Sequence, residues 1–197
     1  MNKRTAIYIS VLSTLAYSGV AASQDMLEEV IVTATKRQLA LEDFAGAANV
    51  IGADQLRPGG IESVRDMVVD IPSLSIGDQF GFARVFMRGI GMTRIDIGGE
   101  GAVAFLQDGA IIPRPAAQLM GMFDLAQVEV LRGPQGTLYG RGATAGAINM
   151  VTQKPGDEFG GYANLTAGDY SLYSFEGAVD VPMGDALAMR LSTKLEQ

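Results

Sequence analysis

Residues 128–152 read Val-Glu-Val-Leu-Arg-Gly-Pro-Gln-Gly-Thr-Leu-Tyr-Gly-Arg-Gly-Ala-Thr-Ala-Gly-Ala-Ile-Asn-Met-Val-Thr, and no other stretch restricts the fold as strongly. Val128 and Val130 alternate with polar neighbours, as a half-buried strand does. Gly133-Pro134 then ends the pairing, because proline has no N–H and a fixed φ. Gly133, Gly136, Gly140, Gly142 and Gly146 permit tight turns and close backbone approach. A second strand is expected from Ile148 to Gln153, closed by Lys154-Pro155. The pattern Gly140-x-Gly142-x-x-Ala145 matches a dinucleotide fingerprint, but that motif must follow a strand directly and open a helix. Here Gly133–Tyr139 intervene and a strand follows. A phosphate loop would need Lys and then Ser or Thr after its last glycine, where Ala147-Ile148 stand. A glycine-rich bend between two paired strands accounts for the composition.

The chain of 197 residues has no cysteine and no histidine. Thiol nucleophiles, histidine triads and zinc sites are thereby excluded, and no metal site or cofactor is expected. A net charge of −7 speaks against non-specific nucleic-acid binding. A Ser/Lys or a paired-carboxylate enzyme remains open, and the acid/base candidates Asp96, Glu100 and Asp108 lie in a Gly-rich stretch without a nucleophile motif.

Met1–Ala22 has the form of an export signal: Lys3-Arg4, an apolar run over Ala6–Leu15, then the small residues Val20-Ala21-Ala22. No later run of roughly eighteen apolar residues offers a transmembrane helix. In residues 23–38, Glu28-Glu29 precedes the β-branched run Val30-Ile31-Val32-Thr33. Such a segment has strand propensity. It is either an ordinary first strand or a free one awaiting an edge, since strand addition draws its affinity from backbone hydrogen bonds.

Residues 39–155 are expected to form one domain. Ala47–Ile51 is a short strand. Ile61, Val64, Met67, Val68 and Ile71 recur at helical spacing, which predicts a helix ended by Pro72. Strands follow near Leu74–Ile76, Ala83–Arg88, Ala102–Gln107 and Ala110–Ile112, with Asp108-Gly109 as a hairpin turn. A short helical turn near Gln118–Asp124 leads into Val128.

In residues 156–197 the pattern changes to long alternation. Gly161, Ala163, Leu165 and Ala167 form one side of a strand. Tyr173, Phe175, Gly177, Val179 and Val181 form the same side of a second, and Leu187, Met189, Leu191, Thr193 and Leu195 that of a third. Three strands of about ten residues, apolar on one side and polar on the other, match a transmembrane barrel wall; a soluble amphipathic sheet is the alternative. Tyr162, Tyr170 and Tyr173 suit an interface girdle. Three strands cannot close a barrel, so the expectation is the N-terminal part of a longer protein.

The motif from Val128 to Gly140, running on through Gly146-Ala147-Ile148-Asn149-Met150-Val151-Thr152-Gln153-Lys154-Pro155, resembles the end of the plug domain of TonB-dependent outer-membrane receptors. Val85-Phe86-Met87-Arg88-Gly89-Ile90-Gly91 and Val103–Gly109 resemble two further plug motifs. The resemblance implies an α+β plug domain, a mixed β-sheet with short helices, followed by the first antiparallel strands of an incomplete transmembrane β-barrel. It also implies a Gram-negative outer membrane and a TonB-type energising protein. That partner would bind a TonB box at Glu29, Val30, Ile31, Val32, Thr33 and Ala34. Arg88 and Arg132 match the family's outward-pointing arginines, which pair with wall glutamates. Loop position puts Gln79, Phe80, Met92, Arg94 and Arg114 toward a solute. The family's commonest solute is a ferric siderophore; vitamins, haem and glycans are taken up by the same architecture. A stand-alone periplasmic binding module is the rival reading.

Overall fold

The two strands that flank the glycine-rich bend lie at the centre of the molecule. In the computed structural model, which describes residues 31–36, 39–56, 63–93, 101–119, 122–169, 172–184 and 187–196, the strands run in chain order. They are β1 (Ile31–Val32), β2 (Leu39–Ala40), β3 (Ala47–Gly52), β4 (Leu74–Gln79), β5 (Phe82–Met87), β6 (Ile90–Gly91), β7 (Val103–Gln107) and β8 (Ala110–Ile111). Then come β9 (Leu125–Arg132), β10 (Gly146–Thr152), β11 (Gly160–Ala167), β12 (Tyr173–Pro182) and β13 (Ala188–Glu196). The main sheet has the order β3-β9-β10-β7-β8 and is mixed, with β10 antiparallel to β9 and parallel to β7.

Alternation along these strands feeds two apolar layers. Val128, Val130, Ile148, Met150, Val103 and Phe105 point into the larger one, which the β4-β5-β6 sheet and residues 63–71 cover. Leu131, Ala147, Ala104 and Leu106 point the other way and are covered by Val32, Ala34, Tyr139 and Ala143. The bend between β9 and β10 holds the one-turn helix Gly136–Tyr139 and a 3-10 turn at Arg141–Ala143. Gly146 passes so close to its neighbours that a Cβ there would overlap the Leu131 carbonyl oxygen and Met87 Sδ.

Three two-residue turns, Phe80-Gly81, Arg88-Gly89 and Asp108-Gly109, have positive φ at both residues. That is the twist-compatible hairpin geometry. The helix expected over Ile61–Ile71 is not formed as such. Its described part is a series of turns with a 3-10 helix at Asp66–Val68, in which Asp66 Oδ2 accepts from Ser63 N and Oγ at 2.8 and 2.9 Å. Val64, Met67 and Ile71 are nevertheless buried as the spacing required. β-branched Val64, Val68, Val69 and Ile71 weaken helix propensity, and Pro72 ends the segment. The turn expected near Gln118–Asp124 falls at Ala117–Leu119, as a 3-10 helix.

The strands β11, β12 and β13 form a separate antiparallel sheet. Its apolar side faces outward: Leu165 is 85% exposed, Leu191 65% and Leu195 66%. The polar side meets the main domain through one ion cluster. Arg190 donates from Nε and Nη2 to the two oxygens of Asp124, at 2.9 and 2.5 Å, and from Nη1 to Asp180 Oδ2 at 2.6 Å. The Tyr162 hydroxyl donates to Glu176 at 2.6 Å and lies 3.3 Å from Asp124 Oδ1. Tyr162, expected at an interface girdle, thus turns inward. Arg190 and Asp124 side chains are each only 8% exposed. Burial works to raise the Asp124 pKa, but hydrogen bonds from Arg190 and Ser192 and the Arg190 charge outweigh it and hold the carboxyl below its ordinary value.

Two outcomes are expected. Gly146→Ala loses about 2 kcal/mol by overpacking, read as a lower denaturation midpoint in detergent micelles. Arg190→Met strands a buried carboxylate and costs about 3 kcal/mol or more, and adding Asp124→Asn restores part of that loss. The Asp124 pKa is depressed in the fold, so its contribution is complete above the unfolded value of 3.8 and fades as pH falls through the folded one. Unfolding series at neutral pH and below about pH 4 therefore differ less in Asp124→Asn than in the parent chain.

Candidate functional site

The β-branched segment near the N-terminus is docked, where a free strand was one expectation. Ile31–Val32 pairs antiparallel with Leu39–Ala40, and Val32 and Ala34 are fully buried against Leu131, Tyr139 and Ala147. What holds the segment is a side chain from the centre of β9. Glu129 Oε1 accepts from Thr33 N and Thr33 Oγ1, both at 2.8 Å, and from Gln127 Nε2 at 2.7 Å. Its Oε2 accepts from Ala34 N at 2.5 Å and Asn149 Nδ2 at 3.3 Å. Gln127 Nε2 also donates to the Ile31 carbonyl at 2.8 Å, and the Tyr139 hydroxyl donates to the Ala34 carbonyl. Lys36 Nζ stands 5.4 Å from the centre of the Tyr139 ring. Burial, with the nearby Glu129 charge, raises the Tyr139 pKa, so its hydroxyl remains a donor at neutral pH. Glu29, Val30 and the export signal Met1–Ala22 lie outside the described residues.

Glu129, Asn149 and Gln127 were not singled out by sequence reasoning. The signal was present: Val128 and Val130 face one layer while Leu131 and Ala147 face another. A glutamate inside such a doubly covered strand must find donors within the protein.

Arg88 occupies the exposed β5–β6 turn, at φ 52°. Arg132 ends β9 half-buried, with a buried Nε that has no hydrogen-bond partner. The Met87 side chain packs against Gly146, the register partner of Arg132. Among the described residues neither arginine has a carboxylate partner. The ion cluster that does join the two sheets has the opposite polarity, with the carboxylate Asp124 on the main domain and Arg190 on the C-terminal sheet. Arg84 is a further arginine that the sequence reading passed over. Its Nε is buried without a partner and its guanidinium lies 5.6 Å from the Phe86 ring centre.

Of the loop residues, Gln79, Phe80 and Arg114 lie near one end of the β4–β5 hairpin. Gln79 and Phe80 form the β4–β5 tip, where Phe80 is 88% exposed. Met92 follows β6, which pairs with Phe86 and Met87 at the other end of β5, and Ala83 N donates to the Pro115 carbonyl beside Arg114 at 3.1 Å. Arg94 lies outside the described residues. A cleft of about 250 Å³ runs beside β7, lined by Phe105, Ile112, Gln118, Tyr139 and Arg141 among others. Of the carboxylates an enzyme would need, Asp96 and Glu100 are outside the described residues. Asp108 is engaged in holding Thr152 N and Oγ1, both at 2.9 Å.

The model of the TonB-dependent Receptor Plug Domain matches residues 40–147. The chain is similar to the pesticin receptor of Yersinia pestis, 29% identical over 205 residues, which covers 99% of this chain and 29% of that protein. It is similar also to the vitamin B12 transporter BtuB of Vibrio vulnificus (strain CMCP6), 29% identical over 150 residues, 72% of this chain and 23% of that one. Among solved structures, the ferric yersiniabactin uptake receptor FyuA from Yersinia pestis superposes with a TM-score of 0.67 at 28% identity. It covers 75% of this chain and 24% of the receptor. The chain spans less than a third of the length of these relatives. With more than half of its residues inside the family match, the chain belongs to the TonB-dependent receptors, through their plug domain.

Proposed function

We propose that residues 39–155 are the plug, and residues 156–197 the first three wall strands, of an outer-membrane receptor that takes up a scarce solute with energy from a TonB-type protein. The observation that carries this reading is the clasp at Asp124. It fastens the polar side of an antiparallel sheet to the plug while Leu165, Leu191 and Leu195 face away. A barrel wall has that polarity, apolar toward lipid and polar toward the lumen. Residues 1–22 direct export, and residues 23–38 present Glu29–Ala34 to the energising protein in the periplasm.

The partner adds a strand to this segment, and its pull loosens the plug so that solute passes. Arg88 and Arg132 meet carboxylates on wall strands beyond this chain. Gln79, Phe80, Met92, Arg94 and Arg114 face the solute. A ferric siderophore is the solute favoured, because a relative matched over three quarters of this chain is a ferric yersiniabactin uptake receptor. The mechanism needs no covalent step.

Uptake of a radiolabelled ferric siderophore by cells whose receptor carries this chain tests the reading. Ile31→Pro removes an N–H from the segment and forbids its strand pairing. Transport is expected to fall on the order of tenfold or more, while Val32→Ala, which keeps the backbone, changes it little. Uptake untouched by Ile31→Pro would count against the box, and cobalamin uptake in place of iron would reassign the solute.

A further inference from the structure

Among the described residues of the docked segment, Ile31 and Val32 have strand geometry. Immediately after them the chain turns, and the consecutive N–H groups of Thr33 and Ala34 converge on one carboxylate at 2.8 and 2.5 Å. Consecutive N–H groups of an extended strand point to opposite edges. Converging on an anion, they make a nest. The two shapes exclude each other at these residues. Among the described residues of the docked segment, a partner can therefore pair with Ile31 and Val32, and pairing beyond Val32 requires the nest to open.

Glu129 is fully buried and draws on five donors, three of them from Thr33 and Ala34. Among the described residues it has no ion-pair partner. Withdrawing the segment takes three of the five donors from the carboxylate and removes the cover that Val32 and Ala34 provide. Those charge-assisted hydrogen bonds, made in a closed site, are then exchanged for bonds to water, at a net loss. The hold on the segment is consequently stronger than two buried apolar side chains would make it.

We propose that Glu129 is a latch: a positioning residue that withholds Thr33 and Ala34 from a strand-adding partner and so sets how readily the segment is captured. The proposal rests on the reading of Ile31–Ala34 as the partner's segment. The Glu129 carboxylate is aimed at two main-chain N–H groups, so Glu129→Gln is a severe change at constant shape. It either turns an NH2 group toward those donors or gives up half of its acceptors.

The experiment uses the whole chain in detergent micelles. Amide hydrogen exchange is followed at Thr33 and Ala34, with Val130 and Ile148 reporting on the central strands. In Glu129→Gln the Thr33 and Ala34 amides are expected to exchange on the order of tenfold faster or more, with Val130 and Ile148 still protected. The C-terminal domain of a TonB protein, titrated onto the same chains, is expected to bind the variant on the order of tenfold more tightly. A residue that merely supports the fold would not raise a partner's affinity when altered. Thr33→Val removes one donor, leaves Glu129 in place, and is expected to speed Ala34 exchange by a smaller factor. It carries the test if the central strands lose protection in Glu129→Gln. Unchanged Thr33 and Ala34 exchange in the variants overturns the latch, whatever the partner does. Faster exchange with unchanged affinity supports the hold of Glu129 on the segment and overturns the reading of that segment as the partner's.

Discussion

The central strand β9 has no solvent face, and most of the architecture follows from that. It is hydrogen-bonded to β3 on one edge and β10 on the other, while Val128 and Val130 fill one layer and Leu131 the other. A strand so enclosed needs cover on both sides. The β4-β5-β6 sheet with residues 63–71 supplies one cover, and the N-terminal segment with the Gly136–Ala143 bend supplies the other. At Glu129, in the middle of β9, enclosure conflicts with polarity. The conflict is resolved by bringing distant donors to it: Thr33 lies 96 residues away in the chain. The segment that covers the second layer is therefore also the segment that satisfies the buried carboxylate. Its docking is an electrostatic consequence of the core rather than an addition to it.

The C-terminal sheet obeys the reverse logic. It shows its apolar side outward and its polar side to the domain it packs on, so apolar burial between the two layers cannot be what holds them together. Asp124, Arg190, Asp180 and Tyr162 do so instead, through a bidentate guanidinium pair in a site nearly closed to solvent. A paired charge of that kind is directional. It sets where the sheet sits against the plug more sharply than apolar contact would. Asp124 is well placed for this role, since its positive φ at the start of β9 breaks the strand and re-aims its side chain.

The glycine-rich bend was read in the sequence as a connection between two strands, and it is one. The hairpin at Asp108-Gly109, the strands near Ala47, Leu74 and Ala83, and the alternation after Phe159 were equally legible. Each is written locally, in a period of two or in a turn dipeptide whose φ values few residues tolerate. The segment 63–71 shows the limit of such reading. Its apolar spacing correctly named Val64, Met67 and Ile71 as buried, but the same spacing serves a 3-10 turn, and β-branching with Pro72 disfavours a longer helix.

What the sequence determined by itself was the set of elements, the face each would bury, and through the motif around Arg132 the family. Which polar groups meet was decided by tertiary structure alone. Arg190 and Asp124 are 66 residues apart, and Glu129 and Ala34 are 95 apart. No local period encodes such a meeting, because hydrogen-bond partners are chosen by which strands the sheet order places together. The N-terminal run illustrates the difference. Its β-branched residues announced a strand, but whether that strand stood free or lay against the plug depended on a carboxylate from the middle of β9, whose five donors only the assembled fold could supply.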